Sequence, residues 1–338
     1  MNVRLFSTRK RPFHLGPFPC EKLLREDQSV DLSDVPPMIP VSFKSRTSPQ
    51  SLVNAMADYQ AMLDAIRDGL INKEIANCPK DLIERAKHIK SFAYFQDAPM
   101  AGISIFDKKM LLDKPIRNPE IDRLSKELKY KQTKTLASGI DVVMADLKES
   151  MNAPPRTIEG HTHALTLLYD YHRNPNAEEP GYEWISDAQP QRASLLGAET
   201  AIIIASYLRV LGYDAKAHTC SSSDVDLNRL AVAAGLASVE DGELINPFVS
   251  NRFQISAVTT NFKMATDKPL VSLRKQPKSL TRGLSWKLGK DSPKNAITLD
   301  PYSTRNYADG AYPFEKLKRV DKPTTLIDEK RVARVPKR

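Results

Sequence analysis

Two histidines two residues apart, His161 and His163, are the first residues in this sequence whose types and spacing could do chemistry. On a β-strand, side chains two residues apart point to the same face, so both imidazoles could reach one metal ion. A zinc site needs three or four ligands, and neither His172 nor any Cys or Asp stands at a usable spacing to complete one. Paired histidines are also common on protein surfaces, and we therefore predict no metal site.

The three cysteines, Cys20, Cys78 and Cys220, form neither a disulfide framework nor a metal-binding spacing. A four-iron cluster needs four thiolates, so we expect no iron–sulfur cluster in this chain. The sequence has no phosphate loop, Gly-x-Gly-x-x-Gly turn, nucleophile elbow or His-Glu-x-x-His motif. Tyr182 and Trp184 could stack on a planar ligand, but we predict that they fill the core.

One long motif occurs twice in the chain. Residues Gly16 to Asp27 read Gly-x-aromatic-Pro-x-Glu-Lys-Leu-x-Arg-x-Asp, and Gly310 to Asp321 repeat this pattern in the same register. The offset of 294 residues (310 − 16) is far beyond the roughly 20–50 residues of a solenoid repeat. We interpret the repeat as the duplication of a whole domain, with a second copy that begins at residue 310.

The net charge of +9 is concentrated near the C-terminus. Residues 271–338 hold 17 Lys and Arg against 7 Asp and Glu, so residues 1–270 sum to about −1. A basic segment can bind nucleic acid, but the aromatic residues of a single-strand binder are nearly absent there, and we favour a solvated linker. No signal peptide and no apolar run of membrane-spanning length is present, so we expect a soluble cytoplasmic protein.

The elements that position these residues fall into five segments. Residues 1–47 are rich in proline and are predicted to be extended, and residues 48–153 show the 3.6-residue apolar period of helices. Residues 154–270 alternate strands with helices, which predicts an α/β or α+β core. Residues 271–309 are predicted to be a basic linker or a degenerate ferredoxin-like remnant, and residues 310–338 the start of the second copy.

Periodicity, capping residues and β-branched runs locate the individual elements. The predicted helices cover 48–66, 81–91, 119–130, 139–151, 191–211 and 226–234, and the predicted strands 164–169 and 252–259, with a further strand starting at 213–217.

Six segments in a fixed order, between Arg192 and Leu270, resemble a known family. They are Arg192-Ala193, Glu199 to Ala215, Ala217 to Thr219, Asp224 to Leu236, Arg252 to Thr260 and Asp267 to Leu270. Together they are similar to the cobalamin-binding core of cytoplasmic reductive dehalogenases and, more distantly, of epoxyqueuosine reductases. In those proteins a helix ending Arg-x-Leu-Gly-Tyr-x-Ala leads to a strand, a Gly-containing turn and an Arg-containing strand beside the corrinoid. The resemblance implies a nitroreductase-like sandwich, preceded here by a helical region.

The resemblance also implies cobalamin as cofactor and four candidate contacts to it. His218 lies just after a predicted strand, Asn228 and Arg229 open a helix, and Arg252 matches the arginine that opens the late strand. His218 could instead be a hydrogen-bonded histidine at a strand end. No catalytic residue is carried over, because the tyrosine that serves the family as proton donor matches no position here.

The chain departs from the family where the cofactor would bind. After the family's Gly-containing turn comes a glycine-rich basic loop, whereas here residues Ala237 to Gly242 bring in acidic side chains that would repel a phosphate-bearing cofactor. At the place of the family's cluster-binding cysteines, Ser292 to Ile297 resembles the motif without its cysteine. The loss of the basic loop and the loss of the cluster-binding cysteines together indicate a degenerate copy.

Two functions remain open from the sequence. The first is the N-terminal module of a reductive dehalogenase-like oxidoreductase that cleaves carbon–halogen bonds at a corrinoid in the full protein, degenerate in this chain. The alternative is a non-catalytic structural or dimerisation module of the same fold. The expected partners are a C-terminal catalytic half, a dehalogenase partner subunit or a second copy of this chain, and neither a membrane nor nucleic acid.

Overall fold

A four-stranded antiparallel sheet lies at the centre of the fold. The computed structural model of the chain describes residues 18, 20–27, 30–41, 49–130, 156–172 and 174–277. The sheet has the order β1-β3-β8-β4, formed by Met100–Ile105, His163–Asp170, Phe253–Thr260 and Ala215–His218. Two short pairs flank it, namely β2 (Leu111–Ile116) with β5 (Ser223–Val225), and β6 (Ser238–Glu240) with β7 (Glu243–Ile245).

Six helices belong to the described part of the chain. They are α1 (Leu52–Ala65), α2 (Leu82–Phe95), α3 (Glu120–Tyr130), α4 (Tyr182–Ile185), α5 (Ala188–Val210) and α6 (Leu227–Ala233). The mixed helix and sheet class predicted from the sequence is therefore confirmed. The predicted strands at 164–169 and 252–259 correspond to β3 and β8.

The side chains of β3 explain why both faces of the sheet are covered. Leu165 and Leu167 point into the core beneath α2 and α5, whereas Ala164 and Leu168 point into a second core beneath α6. All four are nearly inaccessible to solvent. A strand that is buried on both faces has a nearly continuous apolar sequence, as β3 does. Because both of its faces need cover, the sheet lies between two layers of helices.

Both outer strands of the sheet are covered by other parts of the chain. At β1, the Asp267 carboxylate accepts a hydrogen bond from the Ile103 N–H at 2.7 Å. The Asp267 N–H in turn donates to the Ile103 carbonyl, also at 2.7 Å. Lys90 holds this carboxylate through a 2.6 Å ion pair. At β4, the N–H of Ala217 donates to the Arg67 carbonyl at 3.1 Å.

Arg25 fastens the N-terminal segment to this core. Its guanidinium donates to the carbonyls of Lys268 (2.6 Å), Cys20 (3.1 Å) and Gly235 (3.2 Å), close to the end of α6. Backbone bonds between 24–26 and 269–271 extend the contact, and Phe18, Cys20 and Leu23 are buried. The first copy of the repeated motif is thus a clamp between the chain's start and its core.

The structure corrects several sequence predictions. The region 48–153, predicted to be helical, contributes β1 to the central sheet, because the short run Met100–Ile105 pairs with β3 over its whole length. The described residues from 18 to 277 belong to one compact unit. The first helix begins at Leu52 after Ser51, not at Ser48. Trp184 is 59% exposed and does not fill the core.

The stretch Tyr182–Val210 is long and apolar enough to cross a membrane, by length and composition alone. Within its most apolar 18-residue window 61% is buried inside the protein, where α5 packs on β3, β4 and β8. The predicted helix 139–151, the Ser292 to Ile297 resemblance and the second motif copy at Gly310 lie outside the described residues.

Candidate functional site

His218, the first candidate cofactor contact, lies at the end of β4 and has no exposed surface. Its Nδ1 lies 3.3 Å from the backbone N–H of Asp224, and its Nε2 lies 2.8 Å from Thr259 Oγ1. Thr259 Oγ1 also lies 2.7 Å from Nδ1 of His161, whose Nε2 is 3.4 Å from the Asp214 carboxylate. One hydroxyl therefore bridges two imidazoles.

The backbone N–H of Asp224 sets the direction of this chain of hydrogen bonds. Because that N–H is a donor, Nδ1 of His218 must accept, and the neutral ring carries its proton on Nε2. His218 then donates to Thr259, Thr259 donates to Nδ1 of His161, and His161 turns its own Nε2–H toward Asp214. Burial lowers the pKa of both histidines, which keeps both rings neutral.

Buried charges lie next to His218. Asp224 forms ion pairs with Arg67 at 3.0 Å and with Lys216 at 2.6 Å, and the Lys216 side chain is 2% exposed. Burial by itself would raise the pKa of Asp224, but attraction to Arg67 and the bond from Lys216 outweigh it and lower this pKa to about 2. All three side chains are at most 10% exposed, so the described part of this cluster presents no acid, base or nucleophile to solvent.

Asn228 and Arg229 lie together at the start of α6, and their side chains are occupied. Asp226 caps the helix, and its carboxylate accepts the backbone N–H groups of both residues. The Asn228 amide donates to the Pro36 carbonyl at 3.1 Å, and the Arg229 guanidinium to the Lys109 carbonyl at 2.5 Å. The chain's own segments thus bind the polar groups assigned to a cofactor.

Arg252 lies at a different place in the fold. It directly precedes β8, and its guanidinium donates to the His172 carbonyl. His218 pairs with Ala257, five residues farther along β8, which is roughly 16 Å at the usual strand rise. Of the four candidate contacts, the structure brings together only the sequence neighbours Asn228 and Arg229.

Sequence reasoning missed the residues that surround His218. Thr259, Lys216 and Arg67 are buried polar groups that organise this part of the molecule. A usable signal was present for one of them, because Lys216 lies between two alanines in a predicted strand, and a lysine that becomes buried requires an acidic partner.

The residues present do not fit a corrinoid. The β6–β7 hairpin stands where the family has its basic loop, and it turns through Asp241 and Gly242 at φ of 52° and 82°. A cavity of about 470 Å³ adjoins it and is lined by the carboxylates of Glu26, Asp31, Asp34 and Glu240. This volume suits a drug-sized molecule. A corrinoid is larger and carries a phosphate that four carboxylates would repel.

The paired histidines and the cysteines offer no metal site in the described part of the chain. His161 precedes β3 instead of sharing a strand face with His163, whose Nδ1 lies 2.8 Å from Thr162 Oγ1. Across the described ranges, no group of three His, Cys, Asp or Glu could hold a metal ion. Burial raises the pKa of Cys20 and Cys220 to about 12, which disfavours the thiolates that metals bind.

Comparison with known proteins gave matches among solved structures only, since no family model and no curated protein matched. The catabolic reductive dehalogenase NpRdhA is 29% identical over 98% of this chain and 40% of that chain, with a TM-score of 0.59. The same protein in complex with 3-bromo-4-hydroxybenzoic acid is 29% identical over 98% of this chain and 40% of that chain, with a TM-score of 0.58. A reductive dehalogenase whose structure suggests a mechanism for B12-dependent dehalogenation is 28% identical over 96% of this chain and 39% of that chain, with a TM-score of 0.57.

An epoxyqueuosine reductase bound to a tRNA-Tyr stem loop is 11% identical over 55% of this chain and 48% of that chain. Its TM-score of 0.33 is too low to support an argument. The chain spans about two fifths of the length of the dehalogenases that it matches. The resemblance predicted from the sequence is confirmed: in residues and in fold, this chain is similar over nearly its whole length to part of a B12-dependent reductive dehalogenase.

Proposed function

We propose that this chain is a module of a reductive dehalogenase-like oxidoreductase, and that it packs within the larger protein without holding the corrinoid. The similarity to dehalogenases over nearly the whole chain supports the family context. In the full protein, a corrinoid would accept the halogenated substrate and iron–sulfur clusters in a later domain would supply electrons. We infer a cytoplasmic location for such a protein.

The observation that carries the non-catalytic role is the occupation of the candidate contacts by the chain itself. The Asn228 amide binds Pro36, the Arg229 guanidinium binds Lys109, and His218 is fully enclosed. A cofactor would have to displace segment 36–41 before it reached the Asn228 amide, and the Lys109 carbonyl before it reached the Arg229 guanidinium. Hydrogen bonds from Met38 and Val41 to Asp226 and Cys220 hold that segment in place.

The repeated motif supports a larger duplicated protein. The leucine and the arginine that recur, as Leu317 and Arg319, correspond to Leu23, which is buried in the core, and to Arg25, which binds three carbonyls. A second clamp of this kind needs a second core to bind. We therefore propose a C-terminal catalytic half, with a dehalogenase subunit or a second copy of this chain as the other candidate partners.

A titration of the purified chain with hydroxocobalamin, followed by corrin absorbance and by heat, tests the proposal. We expect no saturable binding at high micromolar cofactor. Saturable one-to-one binding that is lost in Asn228→Ala and Arg252→Ala would overturn the non-catalytic role. The reading frame after Arg338 tests the duplication separately, because a second α/β core followed by cluster-binding cysteines is expected there, and a stop codon would contradict it.

A further inference from the structure

We propose that the exposed apolar face of α1 is the docking surface of residues 139–151 of the same chain. This face carries Leu52, Tyr59 and Ile66, which are 47%, 63% and 36% exposed. They stand seven residues apart, and a helix drifts by only about 20° over seven residues, so the three side chains form one stripe. The inference does not depend on the dehalogenase resemblance, because it follows from the packing of α1 and from the path of the chain.

Two other sides of α1 are packed against described helices. Its buried face lies against α5, and Ala61 forms a small core with Ile121 of α3. Met62 packs on that small core and is three residues from Tyr59, so the two side chains are neighbours on the surface of α1. The stripe is therefore a side of α1 that the described helices leave exposed, and it borders α3.

The contacts between α3 and α1 show that the two helices are antiparallel. Asn118, just before α3, donates to the Asp64 carboxylate at 2.7 Å, near the end of α1. Arg123, farther along α3, forms an ion pair with Asp58, which lies earlier in α1. Each helix rises about 1.5 Å per residue, so this pairing brings the end of α3 at Tyr130 level with the first turn of α1.

The described structure resumes just beyond the other end of α1. The N–H of Arg156 donates to the Asp68 carboxylate at 3.0 Å, and its guanidinium donates to the Gly69 carbonyl at 2.5 Å. These contacts lie within a few residues of the last turn of α1. Residues 131–155 therefore have to cross from the first turn of α1 to its last, in the same direction as α1 itself.

The length and the apolar pattern of residues 139–151 match the stripe. From Leu52 to Ile66 the stripe is roughly 21 Å long, and a helix over 139–151 would be roughly 20 Å long. The predicted helix carries apolar residues on one face, at spacings of three and four residues, namely Ile140, Val143, Met144, Leu147 and Met151. Two apolar stripes of equal length gain stability when each removes the other from water.

Attachment at both ends favours this occupant over a separate molecule. Because the segment leaves the described structure at one end of α1 and returns at the other, its effective concentration beside the stripe is on the order of 1 mM. A second copy of the chain, or the proposed catalytic half, would have to compete with it. Docking of residues 139–151 would thus withdraw this face of α1 from the surfaces that a partner module can use.

The experiment is cysteine cross-linking in the full chain, whose own three cysteines are buried. A short bismaleimide should join Tyr59→Cys to Met144→Cys within one chain, and mass spectrometry of the digest detects the product. Tyr59→Cys with Glu149→Cys is the control pair. Glu149 lies on the opposite face of the predicted helix, about 10 Å away, and should react much more slowly. Equal rates for the two pairs, no product from either, or products only between two chains would overturn the proposal.

Thermal unfolding of charged variants is a second test. Leu147→Asp and Tyr59→Asp should each lower the unfolding midpoint by roughly 4–8 °C, because each places a charge in an apolar contact. The double variant should lose less than the sum, since the two side chains share one interface. Val142→Asp is the matched control on the opposite face of the predicted helix and should change the midpoint by no more than about 1 °C. An unchanged midpoint in Leu147→Asp, an equal loss in Val142→Asp, or additive losses in the double variant would contradict the docking.

Discussion

The guanidinium of Arg25 occupies the space in which a side chain on residue 235 would begin. Gly235 has a φ of +64°, and a Cβ at that position would meet Nη1 of Arg25 and the Lys268 carbonyl oxygen. The clamp therefore depends on both residues at once, since the arginine fits only because position 235 has no side chain.

Gly235→Ala is expected to lower the free energy of unfolding by roughly 3 kcal/mol or more, because left-handed strain and two close contacts act together. Arg25→Ala should cost roughly 2 kcal/mol through the loss of its charged hydrogen bonds. The double variant should cost less than the sum of the two, since one close contact disappears with the guanidinium. Denaturant unfolding of the three variants measures this coupling.

Gly242→Ala is the matched control for this cycle. Its φ of +82° imposes the same backbone strain, but no atom lies within 4 Å of the added Cβ. We expect a cost of only about 1 kcal/mol. If Gly242→Ala lowered the free energy of unfolding as much as Gly235→Ala does, the role assigned to Arg25 would be contradicted.

Asp224→Asn should destabilise the chain by roughly 3–5 kcal/mol, because it removes the carboxylate that pairs with Arg67 and is the nearest counter-charge of the buried Lys216. Addition of Lys216→Met should recover part of the loss by removing one unpaired cation. Thermal unfolding checks both variants. The exposed pair Asp27–Lys268 is the control, and Asp27→Asn should leave the unfolding midpoint unchanged.

Thr259→Val is expected to cost roughly 2–4 kcal/mol, because it leaves nitrogen atoms of two buried imidazoles without a hydrogen-bond partner. Thr259→Ser keeps the hydroxyl and should cost only about 1 kcal/mol. Nitrogen chemical shifts of the histidine rings should show His218 and His161 protonated on Nε2. A proton on Nδ1 of His218 would contradict the direction derived for this hydrogen-bond chain.

Stability should fall as the pH drops from about 6.5 toward 4. Burial lowers the pKa of His88 to about 4 from 6.5, and it also lowers the pKa of His161, His163 and His218. The unfolded chain therefore takes up protons that the folded chain does not, and His88 alone accounts for up to roughly 3 kcal/mol by pH 4. Above about 6.5 this contribution to stability is complete.

Unfolding in denaturant at several pH values measures this dependence. His88→Gln should flatten the slope between pH 6.5 and 4, because it removes one of the buried rings. Lys87→Gln, an exposed neighbour on α2, should leave the slope as it is. A slope that stays the same in His88→Gln would show that His88 does not contribute to it.

All described helices except the short α4, and the two long strands, could be predicted because their signals are local. The apolar period of α1 and the β-branched run of β8 lie within the elements themselves. β1 was missed because it contains Ala101 and Gly102, which are disfavoured in strands, and only two β-branched residues. The Asp241-Gly242 turn of the β6–β7 hairpin had a recognisable signature that the sequence analysis did not use.

The arrangement of the candidate site could not be predicted because it depends on distant contacts. Segment 36–41 covers residues about 190 positions away, and nothing within either stretch indicates the other. The same holds for Arg25, which reaches Gly235 across 210 residues. By contrast, the acidic stretch Ala237 to Gly242 was visible in the sequence, and it predicted the sign of the charge near the hairpin.

The covering of β1 by Asp267 and of β4 by Arg67 has a consequence for assembly. Neither outer strand presents a free row of N–H and C=O groups at these points, so another chain has little opportunity to join the sheet there. At these edges, a neighbouring module would have to attach by packing its side chains against an already folded surface, instead of adding a strand to the sheet. Two such modules would then fold as separate cooperative units and dock afterwards, so that loss of one need not unravel the other.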